Sequence, residues 1–568
     1  MESRWMLYTK RADFQKISAR FLISPVTARV MVNRDIQEKD MEKYLHAKLE
    51  DLHDAKKLKD GDRAVEIIAR AIEQKKKIRV VGDYDIDGVC ASYILVTGLH
   101  RIGAQVDCDI PDRIKDGYGI NAQIIEKAAA DGIALIITCD NGIAAFEAME
   151  YAHQMGIDVI ITDHHEVFKE EGKDRLPLAK AIINPKQADC HYPFDGICGA
   201  VVAWKLVELF YRFFDVSYEE WKLLLSVAAI ATVGDVMQLK DENRIIVRYG
   251  LRALEKTKNL GLRALLQVCE LENKELTAYH IGFIIGPCLN ASGRLKTAKL
   301  ALELLMSKDM ETAKQRAMEL KRLNDERKDM TQQGVDQAIE IVEAAPEEKV
   351  LVVYLSDCHE SLAGIIAGRL RERYQRPAIV LTDAQEEGML KGSGRSIGAY
   401  PMFEKLCEAD GFLEKYGGHP MAAGLSLKKE NVEAFRRFLN EHSKLVESDF
   451  VKEVWIDVAM PFGYISEDLV AQLAQLAPFG QGNESPTFAQ KDVEILNARV
   501  LGKDHNVVRL SLKDSAGTRM EGLVFTDGDA FIEEAKRFID IIYAPQVNEY
   551  MGQRTLQVVI RDWKFKSK

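Results

Sequence analysis

The chain contains no uninterrupted apolar run of the ~18 residues that a membrane-spanning helix needs, so no transmembrane segment is expected. Its first residues, Met1-Glu2-Ser3-Arg4-Trp5, carry charge where a secretory leader has an apolar stretch, and no signal peptide is expected either. Positive charge is in deficit. Lys and Arg number 77 against 88 Asp and Glu, a net charge of -11. That balance argues against non-specific coating of nucleic acid or membrane, yet it leaves room for a local basic groove. Cysteine is sparse and scattered: nine residues, an odd number with no CxxC pair (Cys90, Cys108, Cys139, Cys190, Cys198, Cys269, Cys288, Cys358, Cys407). A disulfide framework or zinc ribbon is therefore unexpected, and a reducing cytoplasm is the expected location. Short internal repeats and low-complexity tracts are absent.

The 568 residues suffice for three or four domains, and 47% hydrophobic content allows each a real core. Residues 1 to about 75 read as a mostly helical lead-in. From residue 76 a rhythm of apolar strand, acidic or glycine-rich turn and helix sets in, with strands expected at 78–82, 105–110, 133–138, 157–162 and 180–183. Short Ile- and Val-rich strands at helical spacing indicate βαβ units and a parallel sheet. Residues 199–343 read as helical, ending in a long charged helix over 309–343 that stops before Pro346. A second α/β rhythm runs from Val350 to about 448. From Val454 onward, alternating runs at 487–501, 507–513, 519–526, 539–545 and 555–562 predict a small antiparallel barrel.

The chemistry concentrates in Gly82-Asp83-Tyr84-Asp85-Ile86-Asp87-Gly88, which follows the apolar run Ile78-Arg79-Val80-Val81. Read as an extended segment, it puts Asp83, Asp85 and Asp87 on one face. Three like charges on one side repel unless a cation lies between them, so the run is half of a candidate metal site at a strand's C-terminal end. Two more apolar strands run into Cys139-Asp140-Asn141-Gly142 and Asp163-His164-His165, and an apolar helix leads to Gly234-Asp235. If the strands are neighbours, Asp83, Asp85, Asp87, Asp140, His164 and Asp235 converge on one edge. Carboxylate oxygens with an imidazole suit Mn²⁺ or Mg²⁺ better than a thiolate-rich zinc site. The number of carboxylates suits two ions, the arrangement that activates water and stabilises both oxygens in phosphoryl transfer. An EF-hand is the rival reading of Asp-x-Asp-x-Asp-Gly, but Ile94 occupies the position of its bidentate glutamate. Singly, Asp140 also reads as a turn residue and Asp235 as a helix cap.

These motifs together resemble the DHH phosphoesterase superfamily. Further runs resemble its single-stranded-DNA-specific exonuclease family: Asp116-Gly117-Tyr118-Gly119, Asn290-Ala291-Ser292-Gly293-Arg294, Gly392-Ser393-Gly394-Arg395-Ser396, Gly417-Gly418-His419-Pro420 and Leu476-Ala477-Pro478-Phe479-Gly480-Gln481-Gly482-Asn483. The resemblance spans roughly residues 50 to 565. It implies an α/β fold in which a parallel-sheet DHH domain (76–308) follows a helical lead-in (1–75). A connecting helix (309–345) then leads to a smaller α/β DHHA1 domain (346–448) and a β-barrel OB-type domain (449–568). It implies two Mn²⁺ or Mg²⁺ ions among Asp83, Asp85, Asp87, Asp140, His164 and Asp235, with His165 beside the scissile phosphate. Arg113, Arg294, Ser393 and Arg395 would grip substrate phosphates, with His419 facing the metals. The implied reaction is 5′→3′ hydrolysis of single-stranded DNA to 5′-mononucleotides in repair and recombination, by a monomer working with a helicase and a single-strand-binding protein. The chain departs from the family pattern at Asn141, where cysteine is usual, and at Cys288, where arginine is expected after Pro287. It departs again at Cys358-His359-Glu360-Ser361 and around Asp235, at Gly234 and Gln238.

The residues themselves leave two other readings open. One is a phosphodiesterase of short oligonucleotides or cyclic dinucleotides, which would have little use for a terminal barrel. The other is an inactive DNA-binding scaffold, against which the intact carboxylates stand. Basic clusters at Arg369, Arg371, Arg373 and Arg376 and across 314–328 read either as a DNA groove or as solvated helix faces. Tyr543, Tyr550, Trp563 and Phe565 read either as base-stacking platforms or as barrel packing.

Overall fold

The computed structural model describes residues 3–113, 117, 119–344, 347–550 and 552–566. Asp116 and Tyr118 of the family run, and the side chain of Tyr550, lie outside the described residues. The chain divides into two compact bodies, residues 55–235 with 250–452, and residues 3–54 with 236–249 and 453–568. Among the described residues no helix is long and apolar enough to cross a membrane.

In the first body, five strands form a wholly parallel sheet in the order Gln105–Asp109, Lys77–Val81, Ile133–Cys139, Asp158–Thr162, Ala181–Ile183. Each strand lies within about a residue of its expected span, because a strand covered on both faces must be apolar almost throughout. Numbered along the chain, that order is 2-1-3-4-5, so the order in which successive strands are added reverses between Lys77–Val81 and Ile133–Cys139, while all strands stay parallel. A ligand site belongs in the crevice at the carboxyl ends of those two strands, where Gly82–Asp87 and Asp140 emerge. Helices Ile86–Arg101 and Gly199–Phe213 cover one face, and Ala122–Ala130 and Phe146–Gln154 the other. The expected long helix is Met310–Ala344. The second sheet has the order Lys415–His419, Ala422–Lys428, Met389–Arg395, Ala378–Asp383, Leu351–Tyr354, and only its last pair is parallel.

In the second body, Phe488–Leu501, Val507–Lys513, Arg519–Phe525, Gln553–Lys566 and Phe538–Tyr550 close into a ring, the last strand pairing with the first. The expectation of an antiparallel barrel needs correction, because Arg519–Phe525 and Gln553–Lys566 run parallel. A ring of five strands cannot alternate direction all the way round, so one parallel pair is obligatory. Helix Gly528–Glu534 makes the crossover. Strand Ser3–Leu7, in a segment expected to be mainly helical, pairs with Lys452–Ile456.

Candidate metal centre

The Asp-rich run is not extended. The strand ends at Val81, and Asp85 caps helix Ile86–Arg101, its carboxylate accepting from the amides of Asp87 (2.9 Å) and Gly88 (3.0 Å). Asp87 lies in the first helical turn. Strand alternation therefore does not align the three carboxylates; the tight turn into the helix gathers them. Gly88 permits that turn, since a β-carbon there would stand 2.5 Å from the backbone of Asp83. Asp87 is fully buried, and its oxygens accept from the amides of Gly199 (2.6 Å) and Ala200 (2.8 Å) at the start of the next covering helix.

Asp140 leaves its strand with a left-handed backbone (φ 62°), a conformation an aspartate adopts at some cost and that clusters at functional sites. Its neighbour Asn141 faces away, donating to the carbonyls of Val81 and Cys139 and accepting from the amide of Ile120. The departure at 141 thus braces strand ends and does not alter the donor set. His164 Nε2 stands 3.1 Å from Asp140, 3.6 Å from Asp87 and 3.8 Å from Asp235. Asp235 sits at the C-terminus of helix Leu225–Gly234, where the helix dipole disfavours a negative charge. Helix capping therefore does not account for it. Together the ligand atoms form three compact groups: Asp83, Asp85, Asp140; Asp87, His164, Asp235; and Asp140, His164, His165.

The electrostatics fit a cation. Burial and Asp85 push Asp83 up to about 8, and burial with Asp87 and Asp85 pushes Asp235 up to about 8. Burial and the neighbouring carboxylates also raise Asp85 and Asp140. Buried Asp83 Oδ1 and His164 Nδ1 have no hydrogen-bond partner, and burial holds His164 below the usual histidine range, in the neutral form that ligates metal. A donor set of carboxylates and imidazole without thiolate suits Mn²⁺ or Mg²⁺.

Asp163 is the site residue whose role sequence reasoning missed. Its Oδ1 accepts from His165 Nδ1 (2.7 Å) and from the amides of His164 and His165, and its Oδ2 from the amide of Ile143. Burial opposes protonation of His165, but the Asp163 bond prevails and lifts it to about 9. An acidic residue two places before a histidine was the available signal.

Beside the carboxylates lies a cluster of guanidiniums. Arg113 covers the ring of Tyr84, 4.9 Å from its centroid. Arg294 donates to the carbonyl of Ser361 (2.9 Å), and Arg395 to Ser393 Oγ (2.9 Å). Burial, then Arg113 and Arg327, pull Arg294 down to about 10, and burial with Arg371 and Arg113 lowers Arg395. Neighbouring like charges partly withdrawn from water call for an anion, as the acids call for a cation. The unusual 358–361 run supplies the carbonyl that holds Arg294. Cys288 adds no charge. Its sulfur accepts from Asn324 (3.6 Å), whose Oδ1 takes two bonds from Arg327. His419 ends strand Lys415–His419, exposed, and joins Lys186 in holding Glu166 low. The other basic clusters are largely paired with acids: Lys321 and Lys328 with Asp325, Arg322 with Glu326, Arg369 and Arg371 with Glu372, Arg373 with Glu343, Arg376 with Glu347. Tyr543 is not a stacking platform. It is fully buried, and its hydroxyl donates to the carbonyl of Met460. Trp563 and Phe565 pack edge-on against Phe531.

A doubly wound sheet whose switch point gathers aspartates around a histidine pair, followed by a second α/β sheet, defines a DHH-type phosphoesterase. Models of the DHH family N-terminal domain, the DHHA1 domain and the RecJ OB domain match residues 77–233, 347–444 and 456–562. The chain is 36% identical to the single-stranded-DNA-specific exonuclease RecJ of Bacillus subtilis, over 98% of this chain and 70% of that protein. It is 33% identical to the Escherichia coli protein of the same name, over 88% and 89%. The crystal structure of RecJ in complex with Mn²⁺ from Thermus thermophilus superposes with a TM-score of 0.85 at 26% identity, covering all of this chain and 80% of that one. A Mg²⁺ complex from the same organism gives 0.79, again at 26% identity, covering all of this chain and 79% of that one. The chain belongs to the RecJ family of single-stranded-DNA-specific exonucleases.

Proposed function

We propose that this chain is a metal-dependent exonuclease that removes 5′-mononucleotides stepwise, 5′→3′, from single-stranded DNA. The observation that carries this reading is the adjacency of two oppositely charged clusters across one loop. Tyr84 and Asp85 belong to the carboxylate edge, yet Arg113 and Arg294 act on Tyr84, and Asp85 acts on Arg294. One cluster suits cations on a scissile phosphate, and the other suits a second phosphate beside it. A terminal phosphate carries more charge than a diester, so the arginine cluster favours a 5′-phosphorylated end, with bidentate forks available to grip it.

Asp83, Asp85, Asp87, Asp140, His164 and Asp235 would hold two divalent cations, which supply a nucleophile from water at neutral pH and neutralise phosphate charge. The chain's own groups do the rest. Asp163, through its bond to Nδ1, orients His165 and favours its protonated form, so that His165 would serve as proton donor to the leaving oxygen. Arg294 and Arg395, anchored by Ser361 and Ser393, would fix the strand's end, and His419, at the end of its strand in the second sheet, would face the substrate. The barrel suits a polymeric substrate better than a dinucleotide.

A substrate able to reach these clusters must already be single-stranded, so we infer a helicase and a single-strand-binding protein as working partners. We infer a monomer, and a reducing cytoplasm from nine scattered cysteines without a CxxC pair. The test compares Mn²⁺-dependent release from 5′-phosphorylated single strand, 5′-hydroxyl single strand, blunt duplex and a dinucleotide. The 5′-phosphorylated single strand is expected to be cleaved fastest, yielding mononucleotides; preference for the dinucleotide would sink the reading.

A further inference from the structure

Residues Ala278–His280, Ile281–Ile285 and Gly286–Leu295 form one continuous helical segment with a π-helical stretch in its middle. Stretches of that kind recur at functional sites because the extra residue re-aims the side chains around it. Ile281 and Ile285 are buried. On the opposite side, Tyr279 and Phe283 are 61% and 67% exposed and stack on one another, with centroids 4.8 Å apart and planes at 25°. An i,i+4 aromatic pair supports a helix only slightly. Two large rings left in water, one already serving as a base for the other, form a surface that another flat apolar group would complete.

The position of this surface makes it informative. The π-helical stretch packs on helix Leu225–Gly234, which delivers Asp235. Next along the segment, a β-carbon at Gly286 would stand 3.3 Å from Ile86, the residue between Asp85 and Asp87. Further still, Gly293 lies against the carbonyl of Tyr84, and Arg294 follows. The aromatic pair and the phosphate-gripping arginine therefore sit at opposite ends of one helical segment, with the carboxylate edge between them. Phe283 and Arg294 are eleven residues apart, about 16 Å along the axis.

We propose that Tyr279 and Phe283 form a stacking platform for a nucleobase on the 3′ side of the scissile phosphate. The proposal rests on the exonuclease reading above: a strand whose 5′ phosphate sits at Arg294 crosses the carboxylates and reaches this pair with its following bases. Stacking tolerates any base, since every base has a π-face, so the platform holds an incoming strand in line without imposing sequence preference. A paired base has its faces covered by its duplex neighbours, so the platform also favours single strands.

The test uses the full chain with Mn²⁺ and 5′-phosphorylated single strands carrying 2-aminopurine at each of the first few positions in turn. Phe283→Ala is expected to raise KM about tenfold, with kcat within about twofold of the parent. Phe283→Trp and Tyr279→Phe should retain the parent KM. Fluorescence quenching confined to one position in the parent should disappear in Phe283→Ala, while unchanged thermal unfolding shows that the fold is intact. A Phe283→Ala and Tyr279→Ala double variant with parental KM and quenching overturns the platform while leaving the exonuclease reading in place. A variant that loses kcat at unchanged KM also overturns it, by assigning the pair to support of the metal edge. A parent protein that cleaves no single strand overturns both readings.

Discussion

Removing divalent cations should make this protein less stable at pH 8 than at pH 5, and neutralising one carboxylate should lessen that loss. In the metal-free protein, Asp83 and Asp235 stand near 8, against 3.8 for a free aspartate, because burial and neighbouring carboxylates disfavour their charge. A carboxyl group raised in the folded state binds more protons folded than unfolded between those two values, so stability falls as pH rises through that window. The penalty is absent below about 4 and complete above about 8. For Asp83, which is 1% exposed, a displacement of that size corresponds to roughly 3–6 kcal/mol when the group is ionised. In a body of this size that is on the order of 5–10 °C in Tm. Cations saturating at about 100 times Kd return about 2.7 kcal/mol per site. Differential scanning calorimetry across pH 5–8.5, with EDTA and with Mn²⁺, reads this directly. Without metal, the Tm of the first body should fall toward pH 8. Asp140→Asn, which removes a charge from the middle of the cluster, should flatten that fall while abolishing nuclease activity. A metal-free Tm that is level or rises between pH 5 and 8 would refute the argument, as would an Asp140→Asn variant less stable than the parent in EDTA.

Asp163→Asn should shift the His165 titration from about 9 toward the usual histidine value; the protonated form is then lost at lower pH, and the alkaline limb of the kcat profile moves down by one to two pH units. NMR of the metal-free protein follows the imidazole, and an unmoved titration counts against the pairing. Arg294→Gln should cost roughly 10–100-fold in kcat/KM on 5′-phosphorylated strands and far less on 5′-hydroxyl strands, and should reduce the salt dependence by one phosphate contact, about 0.7 in logarithmic slope; equal losses on both ends would place Arg294 elsewhere. Tyr543→Phe leaves the buried Met460 carbonyl without its donor and should lower barrel stability by about 1–3 kcal/mol without changing affinity for single strands. A weakened DNA affinity with unaltered unfolding would restore the stacking role.

Local chemistry made much of this protein legible. The runs at 78–81, 135–138 and 159–162 declare buried parallel strands because both faces of such a sheet are covered, and a window of a few residues contains that signal. The acids and histidines at their ends were readable for the same reason: they follow the strands directly. Direction within a window was harder. Asp83, Asp85 and Asp87 fit strand alternation, but Asp85 also fits a helix cap, and the cap prevailed because Gly88 lets the chain fold back on Asp83. Three matters lay wholly in the tertiary structure. The 2-1-3-4-5 order placed Asp83–Asp87 beside Asp140, which no spacing along the chain can state. One pair in the barrel had to be parallel because five is odd, and it fell to Arg519–Phe525 with Gln553–Lys566, whereas alternation within each strand is blind to its neighbour. Tyr543 faced inward and Phe283 outward because of what packs against their elements. The sequence by itself determined the parallel-sheet strands, the long connecting helix and the acids and histidines that follow the strands, since these follow from short-range pattern and side-chain type. Only the tertiary structure decided which carboxylates and imidazoles come within reach of one another and which aromatics meet solvent, because those depend on contacts between residues far apart in the chain.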